Sequence, residues 1–528
     1  MWRLQSFVRH SSAARASASR AAGAGAGGGR AGAALAWENG KPVGPGTALS
    51  AVASSYLARV LTSQVYEAAI ETPLTYAATT SAKLNNEVYL KREDMQPVFS
   101  FKIRGAYNKI ASLTPEQREK GVVTCSAGNH AQGVALSACK LGINATIVMP
   151  LATPAIKVNA VRRLGGPTVT ISLHGANFDA AAAEARRLVQ ERGLTMIHPF
   201  DDPHVIAGQG TIGLEIVKLL NGKPLDAVFA CVGGGGLLAG VATIIKALRP
   251  EVKVYGVEAD DAAGMTESLK AGKVTTLPHV GLFADGAAVR TVGDNTFGLC
   301  AELVDGMVTV STDEICAAIK MGFNDTRCVL EPAGALAVAG MVKFSRSISS
   351  SSGSSSGGGG GKTYVAISSG ANMDFDRLRF VSERADSSET LISVAIPERP
   401  GSFRELYSVL YPRNVTEFSY RCNGTGKANV FVSYQSTPGR SLEEDRPVLT
   451  EALTSRGYAV TDLAGNEMAK AHARHLAGGR AVAGAAAGAG REVVYRFEFP
   501  EAPGALDKFL HTLNHFNQGA LASAASAL

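Results

Sequence analysis

The chain reads as an α/β protein with mostly parallel sheets, followed by a smaller α+β unit of ferredoxin-like order. Three observations carry that reading. From Val88 to about Leu378, short apolar runs alternate with stretches of helical spacing, as right-handed βαβ units require. Hydrophobic residues make up 46% of the chain but aromatic residues only 6%, an aliphatic bias that suits strands covered on both faces. Past Glu389 the pattern changes to strand, helix, strand, strand, helix, strand, which is the ferredoxin-like order. With 528 residues the chain exceeds one ordinary domain and can bury a large core.

Residues 1–48 read as an organelle-targeting segment without fixed structure. Arg3, Arg9, Arg15, Arg20, Arg30 and Lys41 face Glu38 alone, so this stretch carries +5 of the chain's formal +6. Ser, Ala and Gly dominate it, and Met1–Arg9 can form a short amphipathic helix. The apolar stretch of a secretory signal is missing. A merely disordered tail explains the charge bias less well. The rest of the chain is near neutral, which gives no footing for a nucleic-acid partner. No run reaches about 18 apolar residues, so no membrane span is expected.

Residues 52–386 form the main α/β region. Strand patterns lie at Thr146–Met149, Thr168–Ile171, Val228–Val232, Val252–Val257 and Val365–Ile367. Helical patterns follow at Ile156–Leu164, Ala176–Val189, Leu237–Leu248 and Asp374–Val381. The stretch 345–361 is almost wholly Ser and Gly and reads as a disordered surface insertion between a helix at Ala333–Phe344 and a strand at Thr363–Ile367. The seven cysteines are scattered without a C-x-x-C pair. They read as reduced and mostly buried, and no His/Cys cluster has metal spacing.

Lys102, in Ser100-Phe-Lys-Ile-Arg-Gly-Ala106, stands where an extended segment enters a helix patterned by Ile103, Ala106, Tyr107 and Ile110. A held, partly desolvated amine has a lowered pKa, can form a Schiff base with an aldehyde, and can then act as a base. A lone lysine at a helix start is ordinarily a surface residue. Three further motifs outweigh that reading. Ser126-Ala-Gly-Asn-His-Ala-Gln-Gly133 follows the apolar run Val122–Val123 and opens a helix. Its amides suit an anion such as a carboxylate, and Asn129 suits a phenolic oxygen; an ordinary turn and cap is the plainer alternative. Gly233-Gly-Gly-Gly-Leu237 lies between an apolar strand and an apolar helix, where glycine amides can wrap a phosphate. Ser369, in Ser368-Ser-Gly-Ala-Asn372 after a strand, offers a hydroxyl to a ring nitrogen or simply caps. His130 serves equally as an acid–base group or as a packed residue. Gly208-Gln-Gly-Thr-Ile-Gly213 fits the dinucleotide fingerprint, but a poor strand precedes it and no acidic residue follows at the right distance. Small residues for close helix packing explain it better.

Together with Lys91-Arg-Glu-Asp94, these motifs closely resemble the pyridoxal-phosphate-dependent serine/threonine dehydratase family, and within it threonine dehydratase. Serine dehydratase, serine racemase and tryptophan synthase β share the same fold. The resemblance runs from about Leu57 to Ala520. It implies two parallel-sheet subdomains of the tryptophan synthase β-like fold with pyridoxal 5′-phosphate between them. It implies catalytic roles for Lys102 and Ser126, with Lys102 as the Schiff-base lysine. Cofactor contacts follow for Lys102, Phe101, Asn129 at O3′, Gly233, Gly234, Gly235, Gly236 and Leu237 at the phosphate, and Ser369 at the pyridine nitrogen. No metal is implied. The implied reaction is L-threonine to 2-oxobutanoate and ammonia, the first step of isoleucine biosynthesis, with L-serine as a possible second substrate. Serine dehydratase or serine racemase is the alternative, and a non-catalytic amino-acid sensor a more remote one. A homotetramer is implied, and plastid import, with the mitochondrion as the alternative.

The C-terminal third repeats a turn. Ile396-Pro-Glu-Arg-Pro-Gly-Ser-Phe403 recurs as Phe499-Pro-Glu-Ala-Pro-Gly-Ala-Leu506, each time between a strand pattern and a helix pattern. Residues 389–466 resemble an ACT-like regulatory domain of the kind that binds isoleucine and valine in biosynthetic threonine dehydratase. Residues 492–528 hold only the first strand and helix of a second copy and read as truncated, which puts feedback control in question.

Overall fold

The computed structural model describes residues 37–38, 49–351, 361–375, 377–385, 389–420, 426–437 and 442–463. Nearly all of the expected targeting segment, residues 352–360 of the Ser/Gly tract, Cys422 and the whole second repeat lie outside these residues.

The larger sheet has the strand order Trp37–Glu38, Gly306–Val310, Lys253–Ala259, Ala227–Cys231, Thr363–Ser368, Glu87–Arg92, Leu74–Tyr76. Its five inner strands are parallel and its two edge strands antiparallel. Every residue of Ala227–Cys231 and Thr363–Ser368 is buried, so these strands show a continuous apolar run rather than alternation. The smaller sheet, Val169–Leu173, Ala145–Met149, Val122–Cys125 and Thr195–Met196, is parallel throughout. Short strands such as Leu74–Tyr76 and Thr195–Met196 exist only through their partners and have too few residues to set a pattern of their own.

Helix boundaries follow local chemistry. Asn177 caps Phe178–Arg192 by accepting from the Ala180 amide, and Ser311 with Glu314 forms a reciprocal capping box on Thr312–Thr326. Two expected boundaries shift. The pattern placed at Asp374–Val381 becomes a helix at Arg377–Arg384. The helix expected to end at Phe344 begins at Pro332 and runs to Ser351, taking in the first serines of the Ser/Gly tract. Extending a formed helix through serine costs only tenths of a kilocalorie per residue.

Gly208, Gly210 and Gly213 lie inside the helix Pro203–Leu220, which Asp202 caps. A Cβ on Gly208 would stand 2.7 Å from Arg104 O, and one on Gly210 3.0 Å from Gly240 O. The G-x-G-x-x-G pattern is therefore a packing seam between Lys102–Ala111, Pro203–Leu220 and Gly236–Leu248.

Residues 389–463 build a separate antiparallel sheet ordered Asn414–Tyr420, Lys427–Gln435, Glu389–Pro397, Ala459–Asp462. The helices Ser402–Leu410 and Leu442–Ser455 complete the strand–helix–strand–strand–helix–strand order. Ile392, Val394 and Ile396 alternate onto its core with Leu406, Val430 and Leu453. Arg413 makes two hydrogen bonds to buried Asp445, at 2.6 and 2.8 Å.

A Cβ on Gly240 would lie 2.7 Å from the Gly210 amide nitrogen. Gly240→Ala is expected to destabilise the protein by about 1–3 kcal/mol through overpacking. A lowered Tm checks this, and an unchanged Tm would show that the helices separate at no cost.

Candidate active site

The helix Lys102–Ala111 is fixed from below by a buried ionic network. Arg104 bonds Glu93 through Nε and Nη2, each at 2.7 Å, and Glu215 at 2.5 and 2.9 Å. Lys91 Nζ lies 2.5 Å from Glu215 Oε2 and donates to the Thr72 carbonyl. All four charged side chains are at most 1% exposed. Burial pushes the Glu93 carboxyl up, but Arg104 and Lys91 hold it below the usual carboxylate range. Two cations and two anions leave no net charge to be solvated. This gives Lys91-Arg-Glu-Asp94 a structural task. Its Arg92 pairs with Asp94 in turn, at 2.6 Å.

The segment leading into Lys102 is stitched to the Ser369 loop. The Phe101 amide donates to Ser369 O at 3.2 Å and the Ala371 amide to Phe99 O at 2.9 Å, while Ser100 pairs with Gly370. Phe99 occupies the left-handed region, with φ 53°, a conformation held by these bonds on both sides. Lys102 Nζ donates to Pro199 O at 2.8 Å and lies 5.2 Å from the Phe101 ring centroid. Burial lowers Lys102 to about 8, against the opposing pull of Cys231 and Glu331.

Around the lysine the other motifs converge. Ser369 Oγ accepts from the Cys231 thiol at 3.2 Å and donates to Ala333 O at 3.3 Å. Burial holds that thiol protonated, at about 11. Asn129 Nδ2 donates to Glu331 Oε1 at 2.5 Å, and Asn372 Nδ2 donates to Asn129 Oδ1 at 2.7 Å. Burial pushes Glu331 up to about 7. Ser126 Oγ accepts from the Gly128 amide at 3.3 Å, shaping the loop that enters the helix Asn129–Leu141. His130 is a packed residue. Its Nε2 donates to Ile197 O at 2.9 Å, and burial lowers it to about 3, so the ring stays neutral.

The tetraglycine loop ends the fully buried strand Ala227–Cys231 and opens the helix Gly236–Leu248. Gly235 has φ +96°, which favours glycine. A Cβ there would also meet Met265 and Thr296, and one on Gly236 would lie 2.8 Å from Phe200 O. Among the described residues, the amides of Gly233, Gly234, Gly235, Gly236 and Leu237 have no acceptor. Five unfilled donors at a helix N-terminus suit a dianionic phosphate. The buried Lys102 amine, its pKa lowered, suits an aldehyde, and the neutral Ser369 hydroxyl suits a ring nitrogen. The residues present therefore fit pyridoxal phosphate.

Residues 65–370 match the family described as pyridoxal-phosphate dependent enzyme, and residues 382–473 the C-terminal regulatory domain of threonine dehydratase. The mitochondrial threonine dehydratase of Schizosaccharomyces pombe is 51% identical over 461 residues, 87% of this chain and 74% of that protein. The chloroplastic biosynthetic threonine dehydratase of Arabidopsis thaliana is 46% identical over 467 residues, 88% and 75% of the two chains. Among solved structures, processed threonine deaminase isoform 2 of Solanum lycopersicum is 48% identical with a TM-score of 0.62, covering 67% of this chain and 98% of that one. This chain belongs to the threonine dehydratase family. It is pyridoxal-phosphate dependent, and its C-terminal unit is the regulatory domain of that family.

Within this threonine dehydratase fold, Lys102, Asn129 and Ser369 converge as the sequence motifs suggested, and the tetraglycine loop joins them through Cys231. Glu331, Asn372 and Cys231 carry no sequence signal of a role. Glu331 stands before a proline at a helix start, Asn372 ends a quoted motif, and Cys231 counts only as one buried thiol.

A lysine at about 8 rather than 10.5 is a cation below that pH and a free amine above it. Recombination of the apoprotein with pyridoxal 5′-phosphate should therefore accelerate as pH rises, half-maximally near the value for Lys102. Stopped-flow absorbance checks this, and a rate still climbing at the ordinary lysine value would mean that another amine reacts.

Proposed function

We propose that this chain converts L-threonine to 2-oxobutanoate and ammonia, the first step of isoleucine biosynthesis, with Lys102 as the residue that binds the cofactor's aldehyde and moves the substrate's Cα proton. The observation that carries this reading is the convergence of a low-pKa buried amine, a neutral serine and five unfilled loop amides in one cleft. When bound, pyridoxal phosphate supplies an electron-withdrawing ring that stabilises negative charge at Cα.

The chain's own residues do the rest. The amides of Gly233 to Leu237 hold the phosphate, and Phe101 packs beside the reactive amine. The loop Ser126–Asn129, opening a helix with no side-chain cap, holds the substrate carboxylate and so orients the Cα–H bond toward Lys102. Lys102 takes the Cα proton as a base, and the β-hydroxyl leaves with a proton as water. The released enamine takes up one water and loses ammonia, so threonine is consumed without net gain or loss of water. Ser369 is a neutral partner for the ring nitrogen. A hydroxyl there would not force a proton onto that nitrogen as a carboxylate would, which would suit elimination, a step needing less carbanion stabilisation than transamination. Isoleucine and valine are the effectors we assign to the regulatory unit at 389–466, acting by binding active and inactive states unequally. A homotetramer is the assembly this reading carries. We assign residues 1–48 to plastid import, as the name of the Arabidopsis relative supports; the fission-yeast relative supports the mitochondrion instead.

Keto-acid release from L-threonine and L-serine, with and without isoleucine, tests the reading. Threonine should be the better substrate and isoleucine should alter its turnover. Lys102→Ala should remove activity on both while leaving the folded circular-dichroism spectrum intact. Residual activity within about tenfold, roughly 1.4 kcal/mol of barrier, would remove Lys102 from the chemistry.

A further inference from the structure

Glu331 is a buried carboxyl to which the mechanism gives no task. It ends the loop before Pro332–Ser351, and its own amide donates to Gly370 O at 3.1 Å. Its Oε1 accepts from Asn129 Nδ2 at 2.5 Å. On the opposite side of Asn129, the Asn372 side chain donates to Asn129 Oδ1 at 2.7 Å and to Val98 O at 2.8 Å.

These bonds fix the direction of the Asn129 amide. A backbone carbonyl only accepts, so Val98 O requires the nitrogen of the Asn372 amide to face it. That same nitrogen then requires the oxygen of Asn129, and the nitrogen of Asn129 is left facing Glu331. An amide flip would break both contacts at once and leave partly buried polar atoms unpaired, the costly direction of any hydrogen-bond loss. Asn129 Nδ2 has two N–H donors, and Glu331 uses one. A Cβ on Gly370 would collide with Glu331 Oε1, so this glycine keeps the carboxyl seated.

We propose that Glu331 and Asn372 are positioning residues that clamp the Asn129 amide, so that its second N–H points as a fixed donor at the ring oxygen of the bound cofactor. The proposal rests on the assignment of Asn129 to that oxygen. The clamp joins three distant pieces of chain, the helix start at Asn129, the loop before Pro332 and the Ser369–Asn372 turn. Its effect is on how tightly the cofactor is held, through Asn129 alone.

A double-mutant cycle on cofactor affinity tests it. The apoproteins of wild type, Asn129→Ala, Glu331→Met, which removes the acceptor, and Asn372→Ala, and of the two doubles that add Asn129→Ala, are titrated with pyridoxal 5′-phosphate by absorbance. Each single variant should bind about tenfold more weakly, the scale of one hydrogen bond to a charged or buried group. Each double should match Asn129→Ala to within about twofold, because coupled residues are not additive. Asn372→Ala keeps the test open if Glu331→Met does not fold. Equal losses with and without Asn129 would overturn the clamp and make Glu331 a packing residue. Clamp variants that bind like wild type would overturn it as well. An unweakened Asn129→Ala would overturn the assignment of Asn129 itself, and the clamp with it.

Discussion

Four charges buried together, Lys91, Glu93, Arg104 and Glu215, hold the helix that Lys102 opens. Arg104 lies two residues beyond Lys102 and makes hydrogen bonds to two carboxylates from two other elements. The helix therefore cannot slide or rotate without exposing a buried carboxylate. Removing one member of such a cluster leaves an uncompensated charge, at a cost of about 3–5 kcal/mol. The cluster contributes little net stability, and its value is in fixing one arrangement. Glycines complete the constraint, since Gly105, Gly133 and Gly208 let neighbouring backbones approach this helix closely.

Two buried lysines, Lys91 inside that network and Lys102 beside it, differ in their partners. Lys91 Nζ meets a carboxylate, a carbonyl and a hydroxyl within 2.6 Å; burial lowers its pKa, and Glu93 and Glu215 oppose that shift. Lys102 Nζ has the Pro199 carbonyl and no carboxylate at bonding distance among the described residues, so burial depresses its pKa. Desolvation disfavours the charged form of both, but of the two only Lys91 has a carboxylate at bonding distance among the described residues. Cys231, Ser369 and Glu331 add groups that are neutral or close to it, so the cleft offers a polar but weakly charged surface to a cofactor that brings its own charge.

Much of this was legible in the sequence. The continuous apolar runs at Ala227–Cys231 and Thr363–Ser368 mark inner parallel strands, and the Ser126, tetraglycine and Ser369 motifs fall at strand ends, where an α/β fold places ligands, while Lys102 opens a helix ten residues beyond the strand ending at Arg92. Glycine patterns separated correctly into a loop with free amides and a helix seam. What stayed hidden depends on long-range partners. Lys91 and Glu215 are 124 residues apart, and Asn129 and Glu331 are 202 apart. A glutamate or an arginine reads as solvated until its partner is placed beside it. His130 was open between two roles because only the fold shows a carbonyl against one nitrogen and burial around the ring.

The most direct measurement is chemical trapping. The protein loaded with pyridoxal 5′-phosphate is reduced with borohydride, digested, and its pyridoxyl-lysine peptide located by mass spectrometry. The account predicts a single label, on Lys102, within the peptide that carries Ser100-Phe-Lys-Ile-Arg104. A label on any other lysine, or its spread over several, would contradict it.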